Sequence, residues 1–151
     1  MATFEKYVTF LVNDILFGVS VTKVQEVLRS QEITDVPLSS TAVPGVINLR
    51  GQIIPAMDLR RRLGLAGNKD KKELMNVVLR TNKGSVSLLV DEIGDVKNFS
   101  SDSYEDPPAT FGETIRHVTT RVCKLEDRLL LVLDTEKVTQ FSESKGHTEA
   151  R

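Results

Sequence analysis

The chain predicts an all-β barrel or sandwich. It carries many short apolar runs of strand length, turn signals recur about every ten residues, and there is room for only two or three short helices. Its 151 residues, 40% of them hydrophobic, suffice for one compact unit, which at this size buries roughly 70% of the surface exposed by the unfolded chain. With 20 basic and 21 acidic residues the net charge is -1, so no positive field draws in a phosphate backbone and nucleic-acid binding is not expected. The longest apolar runs, such as Leu129 to Leu133, fall far short of the roughly 20 residues a spanning helix needs. Met1 to Lys6 lack a signal-peptide core, which makes a cytoplasmic protein the expectation. Cys123 is the only cysteine, so neither an internal disulfide nor a cysteine-based zinc cage can form.

The elements follow in order. Tyr7, Thr9 and Leu11 alternate with Val8, Phe10 and Val12, Asn13-Asp14 is a turn, and Ile15 to Val19 return, which makes a hairpin. Ser20 is a candidate N-cap for a short helix in which Val21, Val24, Val27 and Leu28 recur at helical spacing, with Glu26 near its end. Ile33 to Pro37 reads as a short strand and Pro37 to Ser40 as a loop. Val43 to Arg60 then form a second hairpin whose tip is Asn48-Leu49-Arg50-Gly51. This tip suits a type I turn closed by Gly51 as a left-handed bulge residue, and it holds Arg50 in a defined direction. Pro44-Gly45 and Pro55 keep their positions out of a continuous central ladder.

Arg60 to Arg62 suggest one helical turn stopped by Gly64. Ala66 to Glu73 are polar and charged, as befits a crossing between two halves. A third hairpin runs from Met75 to Arg80 and Val86 to Val90, and Asp91 to Val96 continue it after a bulge at Gly94. Lys97 to Thr110 read as an irregular loop. Val118 to Leu125 and Arg128 to Leu133 are the last strand pair, and Asp134 caps a terminal helix carrying Val138 and Phe141. Residues 142–151 offer no core anchor and form a tail.

The stretch Val-Pro-Gly-Val-Ile-Asn-Leu-Arg-Gly-Gln-Ile-Ile-Pro-Ala-Met-Asp-Leu-Arg, Val43 to Arg60, closely resembles the signature of the CheW family. Members of that family link bacterial chemoreceptors to the histidine kinase CheA. Phe17-Gly18-Val19, Val24-Gln25-Glu26-Val27-Leu28, Val90 to Val96, Pro107-Pro108 and Leu129 to Asp134 fall in the family's order, so the resemblance runs from about Tyr7 to Val138. Arg121 and Asp127 depart from it where glycine is common, and Ala56 where a larger aliphatic residue is frequent. The resemblance implies one domain over 1–141, made of two five-stranded SH3-like β-barrels sharing a hydrophobic core. The first barrel lies mainly in 15–66 and the second mainly in 74–133, with strand 7–12 able to cross over and a C-terminal helix at about 134–141.

The resemblance further implies a non-enzymatic adaptor at receptor arrays on the inner face of the membrane, which it meets only through the receptors. Val24, Glu26, Gly45, Val46, Asn48, Arg50 and Gly51 are placed at or near a groove for the cytoplasmic hairpin tip of a methyl-accepting chemoreceptor. The regulatory domain of a CheA-type kinase is expected to meet the second barrel, about Leu74 to Leu133, with its contact residues unassigned. Taken alone, Arg50 is an ordinary solvated hairpin charge, whereas a carboxylate at Glu26 can accept its guanidinium hydrogen bonds. A scaffold for a motility or developmental kinase array is the alternative within adaptors.

Other chemistry finds little purchase. Cys123, His117 and Asp134 can be drawn as a nucleophilic trio, but Val122-Cys123-Lys124-Leu125 reads as strand packing. A small ligand-binding barrel is a further class, marked by a closed pocket with convergent polar groups. His117 and His147 make no metal pair, and Asp91, Glu92 and Asp95 read as a solvated turn, so no cofactor or metal is expected.

Overall fold

The computed structural model describes residues 4–36, 42–67, 73–100 and 104–140, in a mainly β fold with a few short helices. Its strands are β1 (Phe4–Val12), β2 (Ile15–Ser20), β3 (Val24–Leu28), β4 (Thr34–Asp35), β5 (Gly45–Leu49) and β6 (Gln52–Asp58), then β7 (Met75–Thr81), β8 (Gly84–Val90), β9 (Glu92–Ser100), β10 (Tyr104–Glu105), β11 (Thr119–Lys124) and β12 (Leu129–Leu133). The helices are α1 (Leu59–Arg62), α2 (Gly112–Val118) and α3 (Thr135–Val138). The expected loop 37–40, the middle of the charged crossing, Phe141 and the tail 142–151 lie outside the described residues.

Two six-stranded sheets form, in the orders β10-β11-β12-β2-β1-β9 and β3-β7-β8-β6-β5-β4. The two-residue strands β4 and β10 sit at edges, which leaves five longer strands in each sheet. Both sheets have one construction: a hairpin lies beside four strands, and its second strand runs parallel to the last of the four, β2 with β12 and β8 with β6. Each hairpin joins the four strands that do not follow it directly. β1 and β2 belong with β9 to β12, while β7 and β8 belong with β3 to β6. The sheets therefore group the chain differently from the expected division into 15–66 and 74–133, because the hairpin after the charged crossing completes the sheet before it.

An aspartate at the end of β6 and another directly after β12 each cap a short helix. Asp58 Oδ1 accepts from Arg61 N at 3.4 Å and Asp134 Oδ1 from Glu136 N at 3.0 Å. The backbone N–H of each donates to a carbonyl at 2.7 Å, Asp58 to Ala42 in the loop before β5 and Asp134 to Val118 at the end of α2.

Alternation in β1 separates the core into layers. Val8, Phe10 and Val12 join Phe17, Met57, Leu79 and Leu88 in a layer shared by both sheets, while Tyr7 faces the cluster of Leu16, Phe99, Cys123 and Leu130. A third cluster, Ile47, Leu49, Ile54, Ala56, Val78 and Leu89, fills the other sheet. The bulge expected at Gly94 is present: Thr9 faces Gly94 and Asp95 between the pairs Val8–Val96 and Phe10–Ile93.

Several local expectations are corrected. Residues 20–28 do not form a helix: after a 3-10 turn at Val21–Lys23, Val24 to Leu28 become strand β3 against β7. Local spacing gave a helical pattern, and long-range pairing prevails over it. The segment read as an irregular loop holds the end of β9, and His117 lies in α2. Asp91 is no solvated turn residue. Its carboxylate accepts from Arg60 Nη2 at 2.7 Å, with the two side chains 13% and 10% exposed.

Candidate functional site

Leu49 pairs with Gln52, so the loop of the signature hairpin contains only Arg50 and Gly51, with φ of +52° and +87°. This is a two-residue type I′ turn, not the expected type I turn with a bulge. The twist of a tight two-residue hairpin selects the I′ form, and both of its central residues are left-handed. Arg50 accepts a conformation that costs an L-residue about 1–2 kcal/mol. Asn48 supports it by accepting from Gly51 N at 2.9 Å.

The guanidinium of Arg50 donates to Glu26, with Arg50 69% and Glu26 25% exposed. A pair this open contributes about 0–1 kcal/mol to stability. Its effect is to fix the direction of a charge at a surface.

The expected site residues do not share one face. Val46 and Asn48 stand opposite Pro55 and Ile53 in the β5–β6 register, on the face away from buried Ile47 and Ile54. Val24 packs against the shared layer, whereas Glu26 lies opposite Val78, a member of the other cluster. Gly45 is a packing residue, since a Cβ there would come within 2.1 Å of the Thr34 carbonyl oxygen.

Ile53 was missed by the sequence reading, yet it is 60% exposed beside the tip. Its signal was the tight loop itself, which puts Ile53 directly across from Asn48. Ile53, Gln52 and Pro55 form one wall of an open cleft of about 600 Å³, completed by the β7–β8 turn and Glu136, Thr139 and Gln140 at α3.

The imagined nucleophilic trio does not assemble. Cys123 is wholly buried, and burial raises its thiol pKa to about 11 although the Arg121 charge lowers it. Asp134 is engaged in capping α3. Arg121 instead lies 4.4 Å above the Tyr104 ring, a cation–π contact that gives this departure from the family pattern a local role. Among the described residues no group of three or more His, Cys, Asp or Glu side chains could hold a metal ion.

Two intertwined sheets over a shared apolar layer, with an exposed pinned arginine beside an apolar strand face, define a β-barrel module built for docking. The comparisons agree: the CheW-like domain model matches residues 6–143, and the chain belongs to that family. It is 32% identical to the chemotaxis protein CheW of Bacillus subtilis, over 95% of this chain and 92% of that one. It is 29% identical to the chemotaxis protein CheW of Thermotoga maritima, over 87% and 85% of the two chains. The crystal structure of the scaffolding protein TtCheW from Thermoanaerobacter tengcongensis superposes with a TM-score of 0.82 at 26% identity, covering 93% of this chain and 90% of that one. The fold is thus two SH3-like β-barrels, as in that structure.

Proposed function

We propose that this chain is a non-enzymatic adaptor of a bacterial chemotaxis array, holding a chemoreceptor on one face and a CheA-type histidine kinase on another. Membership of the CheW family supports the role. The observation that carries the receptor face is the Arg50–Glu26 pair, exposed at a rigid tip and flanked by Val46, Asn48 and Ile53. An amphipathic helix is recognised by a few spaced apolar anchors with a polar rim, and this surface offers both kinds of group.

The kinase-facing surface is proposed within Leu74 to Leu133, where β9 to β12 make up most of one sheet. The adaptor works on the cytoplasmic side of the membrane. Among the described residues no helix is long and apolar enough to cross a membrane, and receptors provide the attachment. Transmission of receptor state requires contacts that differ between states, because equal binding to both shifts no equilibrium.

A pull-down with a receptor hairpin fragment and a CheA-type kinase tests the assignment. Arg50→Ala and Arg50→Glu should lose the receptor fragment and keep the kinase. Unchanged receptor capture by both folded variants removes this face from the proposal.

A further inference from the structure

We propose that Gln25 and Ser85 are positioning residues that aim Glu26 at Arg50 through a β-bulge. The inference rests on the receptor-facing role of that pair. Val24 pairs with Leu79 and Glu26 with Val78, so two steps along β3 match one step along β7 and Gln25 is the extra residue.

The consequence for facing is direct. In a regular strand Val24, Glu26 and Leu28 would share a side. Here Val24 packs against the layer between the sheets, while Leu28 packs against the cluster of Ile47, Leu49 and Val78. The register is regular from Glu26 to Leu28, so Glu26 shares the Leu28 side. The Arg50 guanidinium donates to Glu26, so the tip meets the carboxylate on the side that the bulge gives it. Bulges re-aim side chains in this way where a strand must present a functional group.

The bulge is anchored by side chains. Ser85 Oγ donates to Gln25 Oε1 at 2.7 Å, reaching from β8 past β7 to β3. On either side of it, Arg80 Nη1 donates to the Val24 carbonyl at 3.0 Å and Asn76 Nδ2 to the Arg29 carbonyl at 3.2 Å. Asn76 is itself held by the buried Ser87 hydroxyl at 2.8 Å. β3 is therefore fixed before and after the bulge, and the Ser85–Gln25 bond sets the bulged residue between those points.

The test uses the full chain and two readouts. The first is the set of NOEs between the Glu26 γ protons and the Arg50 δ protons, which needs no partner. Ser85→Ala and Gln25→Ala should each lose these NOEs with the rest of the backbone spectrum retained, and Ser85→Thr should keep them. The second is affinity for a receptor hairpin fragment. Ser85→Ala and Glu26→Ala should each weaken it about five-fold, and adding Glu26→Ala to Ser85→Ala should weaken it no further. Intact NOEs in both alanine variants overturn the positioning role. Lost NOEs with unchanged affinity support that role and remove the receptor-facing assignment of the pair.

Discussion

Arg60 Nη2 lies 2.7 Å from both carboxylate oxygens of Asp91, joining α1 in one half of the chain to the crossover between β8 and β9 in the other. Arg60 Nη1 also donates to Asn13 and, at 3.0 Å, to the Ala66 carbonyl, while Asp91 accepts from Asn13 N at 2.9 Å. The β1–β2 turn, α1 and the β8–β9 crossover thereby meet in one network. Removing one member strands a largely buried charge, at a cost of about 3–5 kcal/mol. Urea denaturation of Arg60→Ala and Asp91→Ala should show losses of that size, and the double change Arg60→Met/Asp91→Leu should recover much of them.

The left-handed Arg50 predicts a trade between stability and binding. Asn-Gly is the preferred pair for a type I′ turn, so Arg50→Asn relieves strain and should raise unfolding stability by up to about 1 kcal/mol. It also removes the guanidinium that meets Glu26. Stability and receptor-fragment affinity, measured on one preparation, should move in opposite directions.

Gly45→Ala should lower stability by about 1–3 kcal/mol, the usual range for an overpacked site. The new Cβ meets the backbone of Thr34, which cannot swing aside as a flexible side chain can. Thermal melting checks this. Receptor binding by the fraction that stays folded should be near normal, because Gly45 is buried and acts through the placement of β4 against β5.

Cys123 gives the protein a pH-dependent term at high pH. Its thiol ionises near 9.0 in the ordinary case and near 11 in the folded chain, chiefly because of burial. The unfolded state loses this proton first, so the contribution is complete below about pH 9 and is lost as pH rises from about 9 to about 11. Denaturation midpoints of the native chain should fall more steeply across that window than those of Cys123→Ala. Iodoacetamide should leave the folded protein unlabelled at pH 8, and receptor and kinase capture by the alanine variant should match the native chain.

Cutting the chain within 68–72 should yield two fragments that do not fold separately. Each would contain a hairpin and four strands, but the hairpin of one completes the sheet of the other. Circular dichroism and amide dispersion should report unfolded fragments alone and a native-like spectrum on mixing.

Alternation in β1, the Asn13-Asp14 turn, the cap at Asp134 and the exposed Arg50 were legible because each depends on neighbours within a few residues. Their chemistry is local: strand period, left-handed turn propensity and a side-chain oxygen reaching the next amides. β3 was misread as helix because Val21, Val24, Val27 and Leu28 carry a helical spacing that only the ladder with β7 overrides. The same ladder inserts the bulge at Gln25 and so decides which way Glu26 faces. The exchange of hairpins between sheets, the burial of Asp91 against Arg60 and the separation of Val24 from Glu26 were likewise decided by tertiary structure. Each arises from contacts between residues tens of positions apart, and no local pattern in the chain specifies which distant strand will supply the missing hydrogen bonds.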